Sequence, residues 1–518
     1  MEKGRMARPI PCLEKGKDGK QRLMVDGTPF FIRGGEIHNS TASDPGYMEE
    51  YVWKQIHGKY LNTLLVPVCW DLVERHEGEF DFSIPQGVID RAREMGIRII
   101  FLWFGLWKNG ASNYAPSWVH RDSKKYFRAC RKGGLPSATI SAFCREAVEA
   151  DGRAFAAFMA FLRAYDERER TVIMIQVENE VGFLGEERDY SAAANMEYEK
   201  EIPEHLQRLY ATEGSWKQAF GENACDIFMA WHFARAVEYI AAVGKREYPL
   251  PMYVNVWLEA FPFRPGSYPS GGPIARMIPV WKLVAASIDL LAPDIYDPDF
   301  FGSCVPYASA NALFIPETLR QPAAASNVLG LLGLHNTIGY SLFGIEDLWN
   351  ARRYDSMRFE EKDALRIDWE WDRCDEGTIT YIGKAYQIIA EIWDIYLEKQ
   401  QECIGFARRN GYERGAVIPL KRFDVLLKYP EKEETKAGSA GILIPEGEDG
   451  FYLIGCNADI SVCAKIGEEE TAELLGVWEG EFKGGHFVEG RKLNGDELHA
   501  QCRLGDIPSV IKVEVGIV

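Results

Sequence analysis

The chain has 518 residues with a formal net charge of -18, 47% hydrophobic and 26% charged residues. This is the balance of a water-exposed globular protein, long enough for a large α/β barrel plus a smaller domain. Acidic excess disfavours nucleic acid and anionic membrane surfaces as partners, and the longest apolar runs, about ten residues, reach half of a membrane span.

The N-terminal stretch MEKGRMARPIPCLEKGKDGK is polar, with no apolar core of a signal peptide. The 11 cysteines stand singly and form no CxxC, which suits free thiols in a reduced, cytoplasmic setting. None of the nine histidines falls in HxH or HExxH spacing, so no metal site and no cofactor are expected.

Over the first ~400 residues short apolar strands alternate with amphipathic segments, the rhythm of a mostly parallel sheet wrapped by helices. Eight candidate strands follow in order: FFIRGGEIH (30–38), NTLLVPV (62–68), IRIIFLWF (97–104), TVIMIQVE (171–178), MYVNVW (252–257), LLAPDIY (290–296), ALFIPE (312–317) and GYSLFGIE (339–346). Helical patterns lie between them. In PQGVIDRAREMGI, Val88, Ile89, Ala92 and Met95 recur at helical spacing and Gly96 stops the run. DPGYMEEYVWKQIHGKY reads as a helix after strand one. Eight β/α repeats predict a (β/α)8 TIM barrel. An open doubly wound sheet is the alternative, but no GxGxxG follows an early strand.

A long insertion after strand three, KNGASNYAPSWVHRDSKKYFRACRKGGLPSATISAFC, reads either as a substrate mouth or as a solvated excursion. After the helix GKAYQIIAEIWDIYLEKQQ (383–401) the pattern changes to short strand signals such as FDVLLKYP, GFYLIGC and SVIKVEVGIV. The expected division is a catalytic barrel over 1–400 and a β-sandwich or jelly-roll-like domain over 401–518. The charged stretches KEETKAGSAG (432–441) and GEEETAEL (467–474) read as loops.

Barrel active sites sit at the C-terminal ends of the strands. Those ends carry Glu36 and His38, Trp70 and Asp71, Trp107 and Asn109, Glu178 to Glu180, Asn255 and Trp257, Tyr296 and Asp297, Glu317, and Glu346. This ring of polar and aromatic groups favours a carbohydrate cleft. Two carboxylates facing one pocket suffice to break a glycosidic bond, one protonating the leaving oxygen while the other attacks or activates water. Glu180 and Glu317, ending strands four and seven, are the expected pair, and the sequence does not rank their roles. Asn179 is placed to bond a sugar hydroxyl, and Tyr296 to orient Glu317. Glu178, two residues before Glu180, is expected to share its strand face one layer deeper and to pair with a buried cation such as Arg33. Glu36, His38, Trp107 and Trp257 are candidate subsite groups, each with ordinary packing or ion pairing as its alternative.

IQVENEVG (175–182) resembles the acid/base motif of the family 35 glycoside hydrolases, the β-galactosidases of clan A. GGEIHNS (34–40), WDLVERHEGEFDF (70–82) and APSWV (115–119) resemble further segments of that family. LWFGLWKNGASNYAPSWV with FIPET resembles a bacterial branch that ends in a poorly characterised β-rich domain. The resemblance covers about residues 20–400. It implies a retaining exo-β-glycosidase, with Glu180 as acid/base, Glu317 as nucleophile, Asn179 on the sugar and Tyr296 supporting Glu317. The implied substrate is a terminal β-galactoside or a related oligosaccharide, and the reading leaves room for a homo-oligomer. Two departures stand out. The family's Trp-Asn-x-His-Glu-Pro is replaced by a run from Trp70 and Asp71 to Glu74 and Arg75. Counting back from Pro116, Asn109 occupies the place of a sugar-reading Glu, and an amide donates as well as accepts. Another sugar specificity, a transglycosylase, and a catalytically silent glycan-binding barrel are the alternatives.

Overall fold

The computed structural model describes residues 8–58, 60–349, 374, 377–431, 435–465, 470–500 and 502–517. The first seven residues of the polar N-terminus and parts of the charged stretches 432–441 and 467–474 lie outside the described residues.

Eight strands form one sheet: β1 (Ile32–Glu36), β2 (Thr63–Cys69), β3 (Arg98–Lys108), β4 (Val172–Asn179), β5 (Met252–Trp257), β6 (Leu290–Asp294), β7 (Leu313–Ile315) and β8 (Thr337–Tyr340). Their hydrogen-bonded order is β6-β5-β4-β3-β2-β1-β8-β7. The pairings from β1 through β6 are parallel. The backbone N–H of Ile295 donates to Glu317 O at 3.0 Å, where the ends of β6 and β7 meet. The fold is an eight-stranded α/β barrel followed by an all-β part. All eight strands overlap those expected from the sequence.

The strands read as continuous apolar runs because both faces are covered. β2 and β4 are buried at every position. Helices α1 (Ser83–Met95), α2 (Arg145–Asp166) and α3 (Ala224–Glu247) follow β2, β3 and β4. Gly96 ends α1 in the left-handed conformation, φ 68°, as its position in the pattern implied. The segment after β1 forms no single helix. It runs from an α turn (Pro45–Met48) through a π turn (Glu49–Trp53) to a further short α turn (Lys54–Ile56). The insertion after β3 carries a short helix (Ser117–Arg121) and a hairpin of Arg128–Cys130 with Pro136–Ile140.

The chain divides into two compact units. The first comprises Met1–Lys54, Asn62–Ile295 and Ser309–Glu317 and holds β1 to β7. The second comprises Gln55–Leu61, Tyr296–Ala308 and Thr318–Val518. Within the second unit, helix α4 (Thr378–Lys399) precedes ten strands in two antiparallel sheets. One is six-stranded and runs Ile404–Ala407, Ala440–Glu446, Gly450–Cys456, Ser509–Ile517, Ala472–Lys483, His486–Leu493. The other is four-stranded and runs Gly415–Pro419, Phe423–Lys428, Ala458–Ala464, Arg503–Leu504. Leu443, Leu453 and Val513 from the first share a core with Val425, Leu427 and Ile460 from the second. All 11 cysteines are free thiols. Among the described residues no helix is long and apolar enough to cross a membrane.

Candidate active site

β4 keeps regular strand geometry only as far as Val177. Glu178 and Glu180 then adopt positive φ angles of 62° and 47°, a region that non-glycine residues enter at a cost and that clusters at functional sites. The neighbouring strand is irregular at the same level. Trp103 pairs with Val177, and the next paired residue on β3, Lys108, lies opposite Asn179, so Phe104 to Trp107 bulge out. The strand alternation that placed Glu178 and Glu180 on one face is therefore broken.

Glu178 turns to the helix layer. Its carboxyl accepts from the backbone N–H groups of Leu106 (3.2 Å) and Trp107 (2.7 Å). Its neighbour is Asp151 of α2, which accepts from Trp103 Nε1 (2.7 Å) and Leu106 N (2.9 Å). Burial first, then the charge and hydrogen bond of Asp151, push the Glu178 carboxyl well above its ordinary range. Asp151 is raised by its own burial, against hydrogen bonds from Glu178, Trp103 and Leu106. The expected pairing of Glu178 with Arg33 is thus replaced by a pairing with the Asp151 carboxyl. Gly105 is required beside it. A Cβ there would collide with Asp151 Oδ2 and lie 2.6 Å from Glu178 Oε1.

Glu180 turns to the barrel interior, where Glu180, Asp294 and Glu317 each bring a carboxylate oxygen to within 4.8 Å of the others. All three are buried. Among the described residues no other trio of His, Cys, Asp or Glu converges in this way. Asn255 of β5 ties the three together. Its Oδ1 accepts from the Glu180 backbone N–H (2.8 Å), and its Nδ2 donates to Asp294 Oδ2 (2.7 Å) and Glu317 Oε1 (3.2 Å). Burial first, then repulsion from Glu317, raise the Glu180 carboxyl to about 7, while Lys108 and a hydrogen bond with Asp294 pull it down. Asp294 is pushed well above the usual carboxylate range by burial and then by Glu317, Glu180 and Glu36. Glu36 is fully buried, and its charge also reaches the buried phenol of Tyr253.

Asn179 is buried, and its Oδ1 accepts from Lys108 Nζ at 2.8 Å. Its Nδ2 is buried with no hydrogen-bond partner among the described residues, which leaves donors for a ligand hydroxyl. Lys108 itself is buried, with its ammonium 4.7 Å from the Phe104 ring centroid.

The remaining expected groups are placed as follows. Asn109 is exposed at a turn, φ 52°, and its N–H bonds to Asn179 O (3.2 Å); its place at the site is taken by Lys108. Trp107, expected at the pocket wall, is fully buried against Phe233 of α3 and donates its indole N–H to Ile140 O (2.9 Å). The bulge in β3 turns it to the helix layer. Trp257 and His38 are half-buried at the ends of β5 and β1, and Tyr296 is half-buried after β6. Glu346 is buried at the start of the turn Ile345–Leu348. Sequence reading missed Asp294 and Lys108 and gave Asn255 no role.

Residues 22–245 match a family model described as Glycosyl hydrolases family 35. Residues 382–505 match a Domain of unknown function, DUF5597. No curated protein matches the chain. Among solved structures, the chain is similar to a β-galactosidase from Bacillus circulans sp. alkalophilus at 10% identity, TM-score 0.48, covering 93% of this chain and 99% of that one. It is similar to the catalytic domain of a β-amylase from Paenibacillus polymyxa at 13% identity, TM-score 0.46, covering 66% and 98%. A β-galactosidase from the psychrophilic Marinomonas ef1 aligns at 10% identity, TM-score 0.42, covering 70% and 68%.

Proposed function

We propose that this glycoside hydrolase, which carries a family 35 domain over residues 22–245, is a retaining exo-β-glycosidase that releases terminal β-linked galactose. The observation that carries the reading is the convergence of Glu180 and Glu317, with carboxylate oxygens within 4.8 Å. Retaining enzymes hold their two carboxyl groups about 5–5.5 Å apart, whereas inverting enzymes leave about 6.5–9.5 Å for a water molecule.

Glu180, raised to about 7, holds its proton into the neutral range far better than an ordinary carboxyl and suits the acid role. Glu317 accepts the Asn255 N–H, which orients its oxygen toward the anomeric carbon. Glu317 attacks that carbon as Glu180 protonates the leaving oxygen. Glu180 then removes a proton from water, which attacks the glycosyl ester and frees the sugar. The Asn179 Nδ2 donors take a sugar hydroxyl, held in place by Lys108. Residues 1–400 form the catalytic domain and 401–518 the β-sandwich-like one in this reading, and the setting is cytoplasmic.

A β-linked pyranose other than galactose is the second reading. Strand three favours it, because an exposed Asn109 and a buried Lys108 stand where a sugar-reading carboxylate was expected.

The test is turnover of a panel of p-nitrophenyl β-glycosides, with proton NMR of the first-formed anomer and labelling by 2-deoxy-2-fluoro-glycosides. The reading requires β product first and a label on Glu317. Loss of at least about 10³-fold is expected in Glu317→Gln, about 4 kcal/mol of transition-state stabilisation. An α product, or a label elsewhere, rejects the mechanism. An inactive wild type on the whole panel favours a glycan-binding role.

A further inference from the structure

Three carboxyl groups meet where a double displacement uses two, and the third, Asp294, sits at the end of β6 almost fully buried. Its Oδ2 accepts from Asn255 Nδ2 at 2.7 Å. Its Oδ1 is buried and receives no hydrogen bond from a donor among the described residues. The groups that face Asp294 are Glu180 from the end of β4, Glu317 after β7, Glu36 from β1, and the Tyr253 phenol and Asn255 amide from β5. Apart from the Asn255 amide and the phenol, these are carboxyl oxygens. Lys108, a cation beside the cluster, acts on Glu180.

Two carboxyl oxygens can approach in a buried site only if one carries a proton. With Oδ2 committed as an acceptor, the proton belongs on Asp294 Oδ1, and Glu180 is the carboxyl that receives it. We propose that Asp294 is a positioning residue that stays a neutral carboxylic acid through turnover and donates a hydrogen bond to Glu180. This rests on the roles given above to Glu180 and Glu317. The direction of both shifts agrees: the Asp294 hydrogen bond raises Asp294 and lowers Glu180.

The consequence is a constant charge. In the roles proposed, Glu317 starts as the anionic nucleophile and Glu180 as the protonated acid. When Glu317 forms the glycosyl ester it becomes neutral, and Glu180, having given its proton to the leaving oxygen, becomes the anion. The second step reverses this, with the proton returning from water. A neutral Asp294 keeps one negative charge in the trio at each stage, and its donated hydrogen bond stabilises Glu180 in the form that appears as the glycosidic bond breaks. An ionised Asp294 would oppose that form.

Isotope-edited infrared spectroscopy of the full chain, with carbon-13 in the aspartate carboxyl groups, reads the proton directly and needs no substrate. At pH 8 a protonated-carboxyl carbonyl band that shifts with the label is expected, and Asp294→Asn should weaken it by the share that Asp294 carries. Retention of the whole band in Asp294→Asn overturns the proposal. The kcat/KM–pH profile gives a second reading. Asn keeps a neutral donor, so the basic limb set by Glu180 should stay within about 0.5 pH unit of wild type. A limb that falls by about one unit or more shows that a negative charge was removed, and overturns the proposal. Asp294→Ala, lacking the donor, should raise the limb and lower kcat/KM about tenfold. Because the infrared band is independent of turnover, its weakening in Asp294→Asn with no glycosidase activity in the wild type would overturn the proposed function and leave the protonated Asp294 standing.

Discussion

Asn255 Nδ2 lies 3.2 Å from Glu317 Oε1, while the same side chain accepts the Glu180 backbone N–H through Oδ1 at 2.8 Å. One amide therefore fixes both proposed catalytic groups, although 75 residues separate it from Glu180 and 62 from Glu317. Asn255→Ala leaves the Glu180 N–H without its acceptor and frees the Glu317 carboxylate. Loss of one preorganised contact in a buried site costs about 10²–10³ in rate. The expected outcome is that fall in kcat, with KM changed by less than about fivefold. Steady-state kinetics check it; a rise in KM alone would mean that Asn255 serves substrate binding.

The proton on Glu180 gives the pH dependence its sign. A general acid works while protonated, so kcat/KM should be sustained below about pH 7 and fall as pH rises through that value. In Glu180→Gln that limb should vanish. Substrates with good leaving groups should lose less rate than poor ones, and added azide should restore turnover through a β-glycosyl azide. Lys108 lowers the Glu180 value, so Lys108→Met should move the limb upward by about one unit. It should also raise KM, because Asn179 Oδ1 loses the donor at 2.8 Å that orients its amide.

The barrel itself was legible because each strand is an apolar run bounded by turn residues, and burial on both faces demands that pattern. Glu180 and Glu317 were legible because a carboxylate closing an apolar barrel strand is costly to bury unless it is paired or does chemistry. What failed is local geometry. The face assigned to Glu178 assumed regular alternation, which positive φ at Glu178 and Glu180 breaks. Placing Asn109 at the site rested on a count back from Pro116, but the bulge from Phe104 to Trp107 brings in Lys108 and turns Trp107 away. Asp294 was passed over because its partners come from β4, β5 and β7, and no short motif joins them.

The Glu178–Asp151 pair makes a stability prediction. Glu178→Leu would leave the Leu106 and Trp107 N–H groups without their acceptor, at a cost of about 2–4 kcal/mol. Glu178→Gln keeps an acceptor and places an amide donor toward Asp151, so it should cost less. Its pH dependence is the sharper test. The Glu178 carboxyl is raised in the folded state, so its contribution is complete below the unfolded value near 4.5 and declines as pH rises toward the folded one. Gln cannot ionise. The melting temperature of Glu178→Gln relative to wild type should therefore climb between pH 5 and pH 8. A difference that stays flat over that range would mean that the pair holds no extra proton. Gly105→Ala should destabilise at every pH, since its Cβ would enter the pair.

In the β-rich unit, Asp506 gathers four donors. Oδ1 accepts from the N–H groups of Lys436 and Ala437 (both 2.9 Å) and from Asn457 Nδ2 (3.0 Å), and Oδ2 accepts from the Tyr381 hydroxyl of α4 (2.6 Å). Asn457, at φ 52°, also donates to Ala437 O (2.8 Å). The carboxylate thus holds helix α4 and two turns of the β-sheet layer in one network. Burial acts to raise Asp506, but the hydrogen bonds from Tyr381, Asn457, Ala437 and Lys436 outweigh it, and the carboxyl is lowered. Asp506→Ala should cost about 2–4 kcal/mol at pH 7, and Tyr381→Phe about 1 kcal/mol. The sign with pH follows from the lowered value: the contribution is present above the unfolded value near 3.9 and is lost as pH falls through the folded one. Thermal unfolding of the two chains should therefore converge below about pH 4. A gap of constant size from pH 7 down to pH 3 would show that Asp506 acts through packing and not as a charged acceptor.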